Sequence, residues 1–121
     1  MAGVRHFREL TCWQLARELK VAIYAICENP AVKADFRFYA DVRAAAASAP
    51  SNIAEGFSRR THAEFARFLD IARGSIAECQ NHLVDAVDRH YVSPERCEEL
   101  TVLANRAAGA IAGLQRYLRK R

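Results

Sequence analysis

Apolar residues recur at three- and four-residue steps through four segments of the chain, and each segment is bounded by residues that start or stop helices. In the first, Leu15, Ala16, Leu19, Ala22, Ile23 and Ile26 form one stripe. Thr11 with Gln14 three residues on predicts a capping box that opens this helix, and Asn29-Pro30 predicts its stop. The second segment keeps its phase through Val42, Ala45, Ala46, Ala49 and Ile53, although Pro50 lies inside it. Proline has no N–H to donate and its ring crowds the carbonyl four residues back. The pattern therefore predicts a helix from about Phe36 to Gly56, kinked near Ala46. Thr61 and Glu64 predict a second capping box, followed by Phe65, Phe68, Leu69, Ala72, Ile76, Leu83, Ala86 and Val87 on one buried face. Ser93-Pro94-Glu95 reads as N-cap, first helical proline and an acid near the positive end of the helix dipole. Leu100, Leu103, Ala107, Ala110, Leu114 and Tyr117 carry that last helix onward at heptad spacing. No segment alternates with period two, so no strand is expected. Four long helices with short connections predict an all-α, antiparallel up-and-down four-helix bundle with a proline-kinked second helix.

The stripes are wider than one core needs. Trp13, Tyr24, Phe36, Tyr39 and Phe57 fall partly outside the main lines, and Gly109 and Gly113 lie four apart among alanines, a surface suited to close helix contact. Both features predict a homo-oligomer.

Composition narrows the class. With 121 residues the chain is expected to fold as one domain over 1–121, and 51% hydrophobic content with 5 Gly and 3 Pro argues against disorder. A formal charge of +4 permits nucleic acid or acidic partners without demanding them. Cys12, Cys27, Cys79 and Cys97 form no C-x-x-C pair, and the charged start (Arg5, His6, Arg8, Glu9) does not resemble a signal peptide. No uncharged apolar run approaches the roughly 20 residues of a bilayer span. A cytoplasmic protein with reduced thiols and no membrane partner is expected.

Catalytic patterns are weak. Bundles that house two metals use Glu-x-x-His pairs, and no Glu here has His three residues later. Cys79, His82, His90 and Cys97 are zinc-type residues, but their spacing is irregular. Gly74-Ser75 lacks a strand-to-helix elbow, and no glycine-rich phosphate loop occurs. The expectation is a protein that is not an enzyme and uses no metal or cofactor.

Electrostatics points further. Arg59, Arg60, Arg67 and Arg73 outnumber Glu64 and Asp70 around the third helix; Arg43 precedes the kink; Arg17 and Lys20 accompany Trp13 and Tyr24 on the first helix. The tail Arg116, Arg119, Lys120 and Arg121 holds no acid. Such residues neutralise phosphates and release counterions, while nearby aromatics can stack on bases. Cations at a helix C-terminus also complement its dipole, which is a simpler reason for part of the tail. The kink motif, Pro50, Ser51, Asn52, Glu55 and Gly56, has two readings as well. Asn52 and Glu55 either hydrogen-bond a ligand or, the favoured reading, tie the helix to its neighbours.

The segment Phe7-Arg8-Glu9-Leu10-Thr11-Cys12-Trp13-Gln14-Leu15-Ala16, the motif Pro50-Ser51-Asn52-Ile53-Ala54-Glu55-Gly56 and the run Glu64 to Ser75 with Glu78 occur in this order. Together they resemble the bacterial four-helix-bundle family encoded in intervening sequences of large-subunit ribosomal RNA genes. The connection Ala31 to Arg37 departs from that family's pattern. The resemblance implies an up-and-down bundle and a ring-like homopentamer. Related bundle proteins act as accessory factors of diversity-generating retroelements, which implies nucleic acid and a reverse transcriptase as partners. Two functions are expected from residues and resemblance together: an RNA- or DNA-binding accessory protein, or a protein–protein scaffold without a nucleic-acid role.

Overall fold

The computed structural model describes residues 3–120, so Arg121 lies outside the described residues. A 3₁₀ turn at Phe7–Glu9 leads into α1 (Thr11–Ile26), a short α2 (Pro30–Ala34), α3 (Phe36–Phe57), α4 (His62–Asp88) and α5 (Pro94–Arg119). The long helices α1, α3, α4 and α5 form a four-helix bundle in which α3 packs between α1 and α4, and α5 closes the ring between α4 and α1. No described helix is long and apolar enough to cross a membrane.

The stripes predicted for the first three long helices become the core. On α5 the buried line is Leu100, Ala104, Ala107, Ile111 and Leu118, and the expected Leu103, Ala110, Leu114 and Tyr117 lie at its half-buried edge. Leu19, Ile23, Ile53, Leu69, Ile76, Leu83, Leu100 and Ile111 are essentially fully buried, each contributing about 1.5–3 kcal/mol of transfer free energy. Ala45, Ala46 and Ala49 are also buried. Their small side chains let α3 sit deep between its neighbours, and α3 continues through Pro50 as one helix.

Local starts and stops follow the sequence unevenly. Thr61 accepts a hydrogen bond from the Glu64 amide at 3.1 Å, and Ser93 accepts one from the Arg96 amide at 3.0 Å. The box expected at Thr11 is displaced. Thr11 is already helical, the N-cap is Leu10, and no side chain caps it. Gln14 instead donates to the Arg8 carbonyl at 2.8 Å. The reciprocal box forms one turn earlier, where His6 Nδ1 accepts from the Arg8 amide and Glu9 accepts from the His6 amide. Asn29-Pro30 also does more than stop α1, since Asn29 accepts from the Ala31 amide and Pro30 is the first residue of α2. The expected loop is thus a helical turn, which buries Val32 completely.

The end of α4 is a left-handed cap. His90 has φ 64°, its N–H donates to the Val87 carbonyl at 3.0 Å, and the Tyr91 N–H donates to the Ala86 carbonyl at 2.8 Å. This turn delivers Arg89 and Tyr91 to Asp35, whose carboxylate accepts from Arg89 at 2.8 Å and from the Tyr91 hydroxyl at 2.7 Å. Asp35 also caps α3 by accepting from the Phe38 amide. Tyr91 first, then the Phe38 amide and Arg89, hold the Asp35 carboxyl below its ordinary 3.8. A depressed native value means that this latch stabilises the fold fully above the ordinary Asp range and loses that contribution as pH falls through the lowered value. Asp35→Asn keeps a good N-cap but removes the charge. The acid limb of urea-midpoint measurements between pH 5 and pH 2 should therefore be shallower in the variant than in the parent. Equal slopes would show that the latch does not respond to acid.

Candidate nucleic-acid interface

Opposed side chains fix the register of the bundle. Ser48 meets Ser75, Gln80 meets Asn105, and Arg43 stacks on Tyr24. A plane through Leu19, Ser48, Ser75 and Ala110 therefore cuts the bundle across its middle. Among the described residues, the half that contains the α3–α4 connection carries ten Arg and Lys against five Asp and Glu. The opposite half carries seven against nine. The modest overall charge is thus the sum of one strongly basic end and one mildly acidic end.

Most of the predicted basic residues converge on that end. Arg59, Arg60 and Arg67 surround the α3–α4 connection, and the antiparallel register brings the end of α5, with Arg116, Arg119 and Lys120, beside the start of α4. All six are exposed, as is Arg17 in the same half of α1. Arg59 pairs with Glu55 at 3.3 Å and lies over the Phe68 ring at 4.7 Å. Glu55, Glu64 and Asp70 are the acids beside this cluster, all exposed at the surface, where a single ion pair contributes little.

Lys20 and Arg43 lie elsewhere. Arg43 is over Tyr24 at 4.3 Å and Tyr39 at 5.1 Å, and Lys20 approaches the same Tyr24 ring at 5.7 Å. This is a second, smaller patch on the α1–α3 face. It also accounts for two of the aromatics that fell outside the apolar stripes. Trp13, Tyr24, Tyr39 and Phe57 all pack against the bundle's own core, whereas Phe36 is 81% exposed.

The Pro50–Gly56 motif divides between internal and surface roles. Asn52 Nδ2 donates to the Ser48 carbonyl at 2.9 Å and to Ser48 Oγ at 3.0 Å. Ser48 Oγ lies 2.7 Å from Ser75 Oγ, which donates to the Ile71 carbonyl at 3.2 Å. The chain Asn52 to Ser48 to Ser75 to Ile71 ties α3 to α4 inside the packing. Pro50 is buried against the core side of α3, while Ser51 is exposed. Glu55, by contrast, is exposed and bonded locally, to Arg59 and Ser58. At Gly56 α3 and α4 approach closely: a Cβ there would lie 2.8 Å from Phe65 Cδ1 and 2.8 Å from Phe68 Cβ.

The model of one protein family, the 23S rRNA-intervening sequence proteins, matches residues 8–113. The chain belongs to that family. No curated protein matches it. The family match covers α1, α3 and α4 whole and α5 as far as Gly113, and includes the Pro50–Gly56 motif and the Glu64–Ser75 run.

One polar cluster of this family member was not legible in its sequence. Gln115 sits in an otherwise alanine- and leucine-rich stretch, yet it is 1% exposed. It donates to the Ala66 carbonyl at 3.0 Å and to Asp70 Oδ1 at 2.6 Å, and it accepts from Arg73 Nη1 at 3.1 Å. Arg119 approaches Asp70 at 3.9 Å. Arg73 and Arg119 are therefore partly committed to joining α4 and α5, leaving Arg60, Arg67, Arg116 and Lys120 as the more available cations. Burying an amide at a helical heptad position is a tertiary decision with no local sequence signal. Gln115→Leu removes the buried polar group together with its bonds, and Asp70 and Arg73 can return to water. The expected loss is about 1 kcal/mol in urea denaturation. A loss above about 3 kcal/mol would mean that the pair stays buried and unpaired.

The zinc-type residues are not brought together. His82 packs edge-on against Phe38 at 6.1 Å, His90 serves the left-handed cap, and Cys79 and Cys97 are buried. Among the described residues no group of three or more His, Cys, Asp or Glu is arranged to hold a metal ion. Burial pushes the Cys12 thiol up to about 11 and the Cys79 thiol up to about 12, so both are neutral and poor nucleophiles near pH 7.

Proposed function

We propose that this protein is a non-enzymatic, oligomeric helical bundle that binds RNA or DNA through its basic end, as an accessory to a larger nucleic-acid process. The observation that carries this reading is the segregation of charge: ten cations against five acids in one half, seven against nine in the other. A scattered surplus would serve solubility equally well, whereas one concentrated at an end builds a local potential able to capture phosphates. The family's description names a 23S rRNA intervening sequence and no activity, so the proposal rests on this geometry. The protein acts in the cytoplasm, where its four free, buried cysteines stay reduced.

Self-assembly, as the pentamer that the family resemblance implies, would multiply the basic end through avidity. Gly109 is exposed, with nothing within 4 Å of the position a methyl group would take, and Val102 on the same helix is 54% exposed. Ala104 and Ala107 are consumed by packing inside the chain, but the side of α5 around Gly109 is not. The same open face favours a second reading, a scaffold for another protein, with a reverse transcriptase as one such partner.

Fluorescence anisotropy of structured RNA, single-stranded RNA and duplex DNA, titrated at several salt concentrations with protein of scattering-defined mass, separates the two. Nucleic-acid binding predicts log K falling steeply and linearly with log salt. A well-formed oligomer that binds none of the three at low salt is a scaffold.

A further inference from the structure

The basic end holds a feature that phosphate neutralisation does not use. The Arg59 guanidinium lies over the Phe68 ring at 4.7 Å and is held there by Glu55 at 3.3 Å. Phe68 itself is half-buried. It borders two surface hollows at once. One, of about 430 Å³, is lined by Arg59, Glu64, Arg67 and Phe68. The other, of about 460 Å³, joins Phe68 to Ser51, Asn52, Glu55 and Ser58. The exposed polar side of the Pro50–Gly56 segment, which the internal hydrogen-bond chain leaves unexplained, therefore faces this stacked pair.

A planar guanidinium fixed over an aromatic ring is weakly hydrated and presents a flat outer face. Bases of single strands, bulges and loops stack on aromatic rings and on guanidinium planes, whereas bases inside a duplex already have both faces covered. Ser51, Ser58 and Glu55 line the hollow beside the pair with hydroxyls and a carboxylate. Resting on the nucleic-acid reading above, we propose that the Arg59–Phe68 stack receives one unpaired base of a polynucleotide, with Arg60 and Arg67 on the flanking phosphates. The basic end then prefers unpaired nucleotides over uniform duplex, and the Ser51–Ser58 hollow borders the base.

The test uses the full chain and an oligonucleotide carrying one 2-aminopurine, offered as single-stranded RNA, as single-stranded DNA and as a complete duplex at matched salt. Both single strands should bind about tenfold more tightly than the duplex, with the probe's fluorescence quenched by stacking. Arg59→Lys keeps the charge and loses the plane; Phe68→Leu keeps apolar bulk and loses the ring. Each should abolish the preference and the quenching while leaving the salt slope nearly unchanged. Duplex bound as tightly as single strand, or quenching undiminished in Arg59→Lys, overturns the stack but leaves phosphate binding standing. Absence of binding to all three polynucleotides overturns both.

Discussion

Gly56→Ala should lower the stability of the bundle by about 2 kcal/mol and its melting temperature by about 5–10 °C. An added methyl normally favours a helix, since alanine restricts the unfolded chain and outranks glycine in helix propensity by roughly 1 kcal/mol. At Gly56 that gain is outweighed. The new Cβ would stand 2.8 Å from both Phe65 Cδ1 and Phe68 Cβ, and 3.3 Å from the Phe65 carbonyl oxygen. The Phe65 ring can rotate away, but Phe68 Cβ is fixed to its backbone, so α3 and α4 must separate. Separation strains the Phe57–Phe65 contact, whose ring centroids are 6.1 Å apart, and loosens the core around Ile53 and Leu69. Gly74 supplies the internal control. It lies in a helix with nothing within 4 Å of a Cβ, so alanine there should raise stability by about 0.5–1 kcal/mol. Thermal and urea unfolding of the two variants measures the contrast. A Gly56→Ala protein as stable as the parent would show that the close α3–α4 approach is not maintained in solution.

The same glycine shows where a sequence is readable and where it is not. The alternation of apolar and polar residues reports burial directly, so the four long helices and the inward faces of three of them follow from Leu19, Ile53, Leu69 and their phase-mates. On the alanine-rich α5, by contrast, the buried line through Ala104 and Ile111 lies beside the expected one. Caps that depend on one side chain and one nearby amide, at Thr61 and Ser93, are equally local and equally legible. Thr11 fails because α1 starts one residue earlier than its side chain needs: Leu10 is the N-cap, and its carbonyl already accepts from the Gln14 amide that Thr11 would have capped. Gln115, Asp35 and His90 were silent for a different reason. Their partners lie on other helices or in a turn whose shape depends on docking, as Asp35 shows by meeting residues 54 and 56 positions away. The basic residues were each visible, but their division between ends was not, because it depends on the antiparallel register. Only that register gathers Arg59, Arg67 and Arg119 while leaving Lys20 and Arg43 on another face.

That division makes charge reversal the sharpest probe of function. Replacing Arg59, Arg60 and Arg67 together by Glu should weaken binding of RNA and DNA by about a hundredfold or more at low salt and reduce the slope of log K against log salt by about 3. Three reversals change the charge of the basic half by six, turning a surplus of five cations into a deficit, so repulsion is added to the lost contacts. Folding should survive, because all three side chains are exposed and the ion pair that Arg59 makes with Glu55 has both partners in water. The matched control reverses cations of the other half, Arg96 and Arg106, which are also exposed. A patchy but general attraction to polyanions would respond to both sets in proportion to the charge removed. A site at the α3–α4 end responds to the first set far more than to the second. Losses in the three-to-two ratio of the charges reversed, with light scattering showing assembly unchanged, would place the interaction on net charge alone and remove the basic end as its seat.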